Sequence, residues 1–122
     1  MNEPEGPILD TRVLDELAAS VGGDRAFVVE LVDTYLDDSA EQVDAIGASV
    51  DADDAEGLVR PAHTLKSSSA TLGAQQLAAR ARALEMAGRS GTLDDEARSS
   101  ASALRADWEA AVAALQAWKA GE

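Results

Sequence analysis

The spacing of apolar residues is the feature of this chain that most restricts its fold. In the stretch after Asp24, apolar side chains return every three or four residues, with Asp and Glu between them. This stripe consists of Val28, Leu31, Val32, Tyr35, Val43, Ile46 and Val50. Such spacing is typical of an amphipathic α-helix, because one helical turn takes about 3.6 residues. We therefore predict a long helix that begins after Asp24, whose side chain can cap it.

The last part of the chain carries a more regular pattern. From about Asp94 to Lys119, apolar residues are spaced alternately three and four positions apart. They are Ala101, Leu104, Trp108, Ala111, Leu115 and Trp118. This heptad spacing predicts a final helix with one continuous apolar seam. We expect the seam to be used inside the fold, and the protein therefore to be a monomer.

Two further helices are bounded by glycines. Asp10 can cap a short first helix, which the pair Gly22 and Gly23 should end. After Gly73, the sequence QQLAARARALEMAGR predicts a helix over residues 75–89. We expect Leu77, Ala81 and Leu84 to point inward on this helix. The polar residues Arg82, Glu85 and Arg89 should lie elsewhere on this helix.

The third helix follows the acidic turn DADD. Asp53 and Glu56 have the spacing of a capping box, so we predict that Asp53 caps this helix. Pro61 lies within the helical pattern, where it removes one backbone donor and crowds the carbonyl group of Gly57. We therefore expect a kink or a late start at Pro61.

Composition agrees with an all-α fold. Aromatic residues make up only 3% of the chain, and small and aliphatic residues dominate, which favours packed helices. Four long helices and a short first one are most simply arranged as an antiparallel up-and-down four-helix bundle with a short additional N-terminal helix. We predict a single domain over residues 1–122, with its core at about 10–119.

Several classes of function are excluded by what the sequence lacks. It contains no cysteine, so it has neither disulfides nor thiolate metal ligands. The start MNEPEGPILD has no signal-peptide character, and no apolar run is long enough to span a membrane. We therefore expect a cytoplasmic protein without a membrane partner. Its net charge of −13 argues against binding to nucleic acid, which requires clustered Lys and Arg.

The charge is unevenly distributed along the chain. Between Gly57 and Leu93 there are five basic residues and one acid, Glu85, so this segment carries +4 and the rest −17. The basic residues are Arg60, Lys66, Arg80, Arg82 and Arg89. From charge alone, such a segment could equally be a solvated surface. It surrounds His63, however, which is the only histidine of the chain.

His63 is predicted to be exposed. At about 100° per residue, the apolar stripe of its helix lies nearly opposite the histidine. That stripe consists of Leu58, Ala62, Leu65, Ser69 and Leu72. Val59, Lys66, Ser67 and Ala70 instead share the face of His63.

The neighbours of His63 narrow its possible chemistry. A metal site is not expected, because there is no second histidine, no cysteine and no carboxylate one turn ahead. A serine-hydrolase site would need a strained nucleophile and an orienting acid, for which there is no signal. Imidazole can itself attack phosphorus, and Lys66 could neutralise phosphoryl oxygens. Small neighbours such as Ser67 and Ala70 would let a protein partner approach closely.

The sequence AHTLKSSSATLGA resembles the motif of the histidine-containing phosphotransfer (HPt) family, A-H-x-L-K-G-S-(S/A)-x-x-x-G. The stretches VGGDRAFVVELVDTYL and LEMAGRSG and the spacing of the last helix also resemble that family. The resemblance implies a four-helix bundle in which His63 is the phosphoacceptor and Lys66 stabilises the phosphoryl group. The resemblance further implies an additional contact from Arg89, and it places Glu85 where members often carry Gln or another polar residue near the imidazole.

The resemblance also implies partners. These are response-regulator receiver domains and a hybrid sensor histidine kinase, and Mg²⁺ would be supplied at the partner receiver's site, with no cofactor bound by this chain. The helical wheel and the family suggest docking through Val59, Arg60, Ala70 and Arg82. Because the sequence has no glycine-rich nucleotide loop, no autokinase activity is expected.

One residue departs from the family motif. Ser67 replaces the usual glycine, which narrows the approach of a partner but adds a hydroxyl group that could bind a phosphoryl oxygen. Two alternative functions remain open at this point. One is a binding module that acts on a receiver or kinase without phosphorylation, and the other is a phosphate sink that drains one receiver.

Overall fold

A computed structural model describes residues 6–121 of the chain, and within this range the fold is entirely helical. The helices are α1 (Thr11–Ser20), α2 (Arg25–Asp51), α3 (Ala55–Thr71), α4 (Gln75–Ser90) and α5 (Asp95–Lys119). α2 and α4 each pack against both α3 and α5, and this arrangement closes a bundle, while α1 contacts α2. The prediction of a four-helix bundle with a short N-terminal helix is confirmed. The ends of the predicted domain, residues 1–5 and 122, lie outside the described range.

Aspartate side chains begin four of the five helices. Asp10 and Asp24 cap α1 and α2 as predicted, and each accepts a hydrogen bond from a backbone N–H in the first turn. Asp94 caps α5 and accepts from Ala97 N at 2.8 Å. Since the first N–H groups of a helix have no partner within it, these carboxylates satisfy donors that would otherwise need water.

The predicted start of α3 is wrong by one residue. Asp54, not Asp53, is the N-cap, and its carboxylate accepts from Gly57 N at 2.9 Å. Asp53 lies in the turn with a φ of +55°, a left-handed conformation that an N-cap residue does not normally adopt. A late start at Pro61 is also wrong, because α3 already begins at Ala55. Gly57, whose carbonyl loses its helical partner at Pro61, is exposed to water.

The core lies where the apolar spacing predicts it. Leu58, Ala62, Leu65 and Ser69 are fully buried on α3, opposite His63, and Leu72 is buried directly after the helix. On α5, Leu104, Ala111, Leu115 and Trp118 are buried, whereas Ala101 and Trp108 are half-buried. On α2, all members of the predicted stripe are buried except Leu31, which is half-buried.

Two hydrogen bonds between side chains connect α2 to its neighbours inside this core. Tyr35 OH and Ser69 Oγ are 2.7 Å apart and join α2 to α3. Trp108 Nε1 donates to Ser39 Oγ at 2.8 Å and joins α5 to α2. Both serines are completely buried, so each bond satisfies a polar group that cannot reach water. Burial raises the pKa of Tyr35 to about 12, so its hydroxyl remains protonated at neutral pH.

Helices α3 and α4 approach each other closely at Gly88. A Cβ atom at this position would lie 2.8 Å from the carbonyl oxygen of Ala55 and 2.9 Å from Cγ2 of Val59. Real Cβ atoms essentially never make contacts this short, so a larger residue would force the helices apart. The close approach brings the side chains one turn earlier on α4 within reach of α3.

We predict that Gly88→Ala destabilises the protein although alanine is the better helix former. The added methyl group meets backbone, and such overpacking costs about 1–3 kcal/mol. Gly47→Ala is the matched control, because Gly47 lies inside α2 with nothing within 4 Å of an added Cβ. It should stabilise the protein by roughly 0.5–1 kcal/mol. Urea denaturation measures both, and equal stabilisation by the two substitutions would show that α3 and α4 are not held this closely.

Candidate functional site

His63 lies on the outer face of α3, on the side turned away from the core. Its side chain is 53% exposed, whereas the neighbouring residues Ala62 and Leu65 are fully buried. The exposure predicted from the helical wheel is confirmed. A partner can therefore reach the imidazole ring without any rearrangement of the bundle.

A carboxylate of α4 holds one edge of this ring. Oε2 of Glu85 lies 3.0 Å from Nδ1 of His63, and the Glu85 side chain is only 6% exposed. Glu85 therefore lies beside the imidazole, as the family resemblance implies, but it is buried between the helices. Its carboxylate lies between α3 and α4, where basic and donor groups from both helices surround it. These contacts offset the loss of hydration of the carboxylate.

Two cations bind the same carboxylate. Lys66 Nζ lies 2.7 Å from Oε1, and Arg89 donates to Oε2 from Nε at 3.0 Å and from Nη2 at 2.7 Å. Lys66 is one turn beyond His63 on α3, and Arg89 is one turn beyond Glu85 on α4, so helical spacing forms each pair. The packing of α4 on α3 then brings the two pairs together. We call these four residues the Glu85 cluster. With a neutral imidazole, its net charge is +1.

The charge state of Glu85 is well determined by these partners. The ion pair with Lys66 lowers the pKa of Glu85 to about 2, and Arg89 and His63 act in the same direction against the opposing effect of burial. Glu85 is therefore ionised at neutral pH. An ionised carboxylate can only accept, so Nδ1 of His63 must carry the proton in this contact. The lone pair of a neutral ring is then on Nε2.

The other predicted site residues lie around the cluster at different depths. Ser67 and Ala70 are exposed on α3 beyond His63, and Arg60 is exposed one turn before it. Arg82 is exposed on α4, three residues before Glu85.

Val59 is half-buried, and its side chain borders Gly88 on α4. Of the predicted docking residues, Arg60, Ala70 and Arg82 are thus exposed, whereas Val59 is partly enclosed.

One member of the predicted basic segment does not belong to this face. Arg80 is only 8% exposed, and its Nε donates to Asp107 of α5 at 2.6 Å. The basic segment from Gly57 to Leu93 therefore does not lie as a whole on the surface around His63. Arg80 lies on the side of α4 that packs against α5, where Asp107 compensates its charge.

An open groove runs along α3 on the opposite side of His63 from α4. It has a volume of about 640 Å³ and lies between α2 and α3. Its lining residues are Asp38, Glu41, Gln42, Ala45, Glu56, Gly57, Arg60, Pro61 and Thr64. Acidic side chains thus lie on the α2 side of α3, whereas the exposed arginines Arg82 and Arg89 lie on α4.

The resemblance places Glu85 near the imidazole, but the sequence does not predict that Glu85 is the centre of the ion pairs. Its central position depends on the packing of α4 on α3, which helical spacing within a single segment does not reveal. A signal was nevertheless present, because Glu85 is the only acid in the basic segment from Gly57 to Leu93. A lone carboxylate among five basic residues is a good candidate for an ion-pair centre.

The sequence profile of the Hpt domain matches residues 30–118, which include all five residues from His63 to Ser67 and the whole of α4. The chain belongs to the Hpt domain family. As a member of this family, it is a histidine phosphotransfer protein of a phosphorelay. The family resemblance predicted from the motif around His63 is confirmed.

A solved structure supports this assignment over nearly the whole chain. The crystal structure of histidine-containing phosphotransfer protein B (HptB) from Pseudomonas aeruginosa PAO1 aligns with a TM-score of 0.84 and 27% sequence identity. The alignment covers 97% of this chain and 99% of that chain. A comparison with curated protein sequences finds no significant match.

Among residues 6–121, no helix combines the length and the apolar character that crossing a bilayer would require. In the same range, no three His, Cys, Asp or Glu side chains are grouped so that they could hold a metal ion.

The lowered pKa of Glu85 predicts a specific pH dependence of stability. A carboxylate with a folded-state pKa of about 2, against an ordinary value of 4.5, stabilises the fold above pH 4.5, and this contribution is lost as the pH falls toward 2. Wild type should therefore be more stable than Glu85→Gln near neutral pH, and this advantage should disappear between these two values.

Chemical denaturation at a series of pH values measures this difference. Glu109→Gln is the matched control, since it removes an exposed carboxylate of α5 outside the cluster, and its stability curve should follow that of wild type. A wild-type advantage over Glu85→Gln that persists unchanged to pH 2 would contradict the ion-paired state of Glu85.

Proposed function

We propose that His63 is the phosphoacceptor of this phosphotransfer protein. In this proposal, His63 receives a phosphoryl group that originates at a hybrid sensor histidine kinase, from the aspartyl phosphate of a receiver domain, and passes it to the aspartate of a response regulator. The observation that carries the proposal is the exposed imidazole whose Nδ1 is bound to the ionised Glu85. The ring thereby presents Nε2, the nitrogen with the lone pair, to a partner.

The transfer can be written without any exchange of protons. The lone pair of Nε2 attacks the phosphorus of the aspartyl phosphate, and the P–O bond to the receiver breaks, with its electron pair leaving on the aspartate carboxylate. The Nδ1 proton stays in place, so the phosphorylated ring is cationic. Glu85 faces that positive charge directly and stabilises it as it develops. In the onward step, a second aspartate attacks phosphorus, and the P–N electron pair returns to Nε2.

Lys66 and Arg89 supply positive charge for the phosphoryl oxygens. Both now bind Glu85, and their side chains are 31% and 59% exposed, respectively. A phosphoryl dianion on Nε2 competes with the carboxylate for these cations, and charge-assisted hydrogen bonds to phosphate are strong. We assign Lys66 the main role because it lies one turn from His63 on the same helix, and a lysine ammonium is a mobile point charge.

The remaining requirements of the reaction are assigned to the receiver. In this proposal, the receiver contributes the phosphorylated or accepting aspartate and Mg²⁺, and this chain binds no cofactor of its own. Phosphoryl transfer depends mainly on alignment and charge neutralisation. A bundle that presents one nucleophile and two nearby cations is sufficient on its side of the complex.

Docking is proposed to use the exposed face around His63. Arg60, Arg82 and Arg89 are exposed there, and a receiver's carboxylate cluster has the opposite charge. Complementary charge speeds encounter and orients the partners. Ala70 and the exposed part of Val59 add apolar surface beside the ring.

Transfer to His63 can be tested with a labelled receiver. Wild type incubated with a ³²P-phosphorylated receiver and Mg²⁺ should gain label that is acid-labile and base-stable, as expected for phosphohistidine. His63→Gln should gain none, because glutamine has no nucleophilic nitrogen, and its circular dichroism spectrum should equal that of wild type. Label on His63→Gln, or none on wild type with any receiver of the same cell, would contradict the proposal.

Lys66→Ala should slow the transfer and leave the fold intact. Because the ammonium group neutralises the transferring phosphoryl group, we expect a rate about 10- to 100-fold lower, as for loss of a charged hydrogen bond. Rapid-quench kinetics measure the rate. Lys119→Ala is the matched control, since it removes the other lysine of the chain, whose partner is Asp33, and it should transfer at the wild-type rate. Equal rates for both variants would show that Lys66 has no part in the reaction.

A further inference from the structure

Three consecutive serines follow Lys66, and the structure gives each a different environment. Ser69 is completely buried and its Oγ lies 2.7 Å from Tyr35 OH. Ser68 Oγ donates back along the helix to the carbonyl oxygen of Thr64 at 2.9 Å. Ser67 is exposed, and among residues 6–121 its hydroxyl makes no hydrogen bond. The hydroxyl of Ser67 is thus the one of these three that remains available to a ligand.

The position of Ser67 directs its side chain toward the histidine. It is four residues after His63 on α3, so the two Cβ atoms are about 5–6 Å apart on one helix face. Side chains on a helix lean toward its N-terminus, which tilts Ser67 over the turn that carries His63. On the helical wheel, Lys66 lies on one side of His63 and Ser67 on the other.

From this placement we infer that the Ser67 hydroxyl is a second ligand for the phosphoryl group on His63, opposite Lys66. The inference rests on the proposed function of His63. The hydroxyl donates its hydrogen to one phosphoryl oxygen, while the Lys66 ammonium binds another. No bond in the reaction changes through this contact, so Ser67 stabilises the phosphorylated state without taking part in the bond-making step.

Ser67 could instead affect transfer only by its size. The equilibrium constant of transfer distinguishes this steric effect from binding of the phosphoryl group by the hydroxyl. A bulkier residue that only hinders docking changes the forward and reverse rates by the same factor. It therefore leaves unchanged the equilibrium between phosphorylated receiver and phosphorylated His63. A ligand of the bound phosphoryl group shifts that equilibrium, because it stabilises phosphorylated His63 and not the phosphorylated receiver.

The experiment measures this equilibrium for wild type and for Ser67→Ala, Ser67→Gly and Ser67→Thr. Each protein is mixed with a phosphorylated receiver and Mg²⁺, and the label on both proteins is quantified over time from both directions. We expect Ser67→Ala and Ser67→Gly to reduce the share on His63 equally, with an equilibrium constant about three- to tenfold lower, as for one lost hydrogen bond. Ser67→Thr, which keeps the hydroxyl, should retain the wild-type constant.

Ser68→Ala is the matched control, because the Ser68 hydroxyl is already bonded to Thr64 O, and its equilibrium constant should equal that of wild type. Circular dichroism verifies that every variant is folded. An unchanged constant in Ser67→Ala, with label on wild type, would overturn this inference and leave the proposed function standing. Wild type that accepts no label would overturn both.

Discussion

The ion-paired carboxylate of Glu85 is possible only because α3 and α4 lie very close together. Gly88 permits that approach, since a Cβ there would meet backbone of α3 at 2.8 Å. One turn earlier on α4, Glu85 then reaches His63 and Lys66 across the helix boundary. A buried carboxylate would be costly alone, but three donor side chains surround it. The geometry of the site is therefore set by helix packing, and the site in turn draws the two helices together by charge.

The rest of the bundle provides a rigid support for this arrangement. Buried hydrogen bonds join α2 to α3 through Tyr35 and to α5 through Trp108. α4 is joined to α5 by the ion pair of Arg80 with Asp107. Because these polar groups are satisfied only in one register, they help to determine how the helices are aligned. α3 consequently presents His63 outward on a helix whose opposite face is firmly packed.

Much of this fold could be predicted from periodicity. The apolar stripe of α3 identified both its buried face and the exposure of His63, because a helix of known pitch turns each residue through a known angle. The starts of α1 and α2 followed from Asp10 and Asp24, since carboxylates satisfy free N–H groups. The start of α3 was missed by one residue, because two adjacent aspartates are equivalent in sequence and only the turn geometry separates them. Arg80 was misplaced because its partner, Asp107, is remote in sequence.

The sequence by itself determined the family, the five helices and the face on which His63 lies, since these depend on local motifs and on the helical period. Only the tertiary structure decided which charges meet. In the structure, Glu85 lies at the centre of the cluster, and Arg80 pairs with Asp107 of α5 instead of lying beside His63. The hydroxyl of Ser67 has no partner among the described residues. The physical reason is that ion pairs between helices depend on their separation and register. Those quantities arise from packing over the whole core and are not encoded within any one segment.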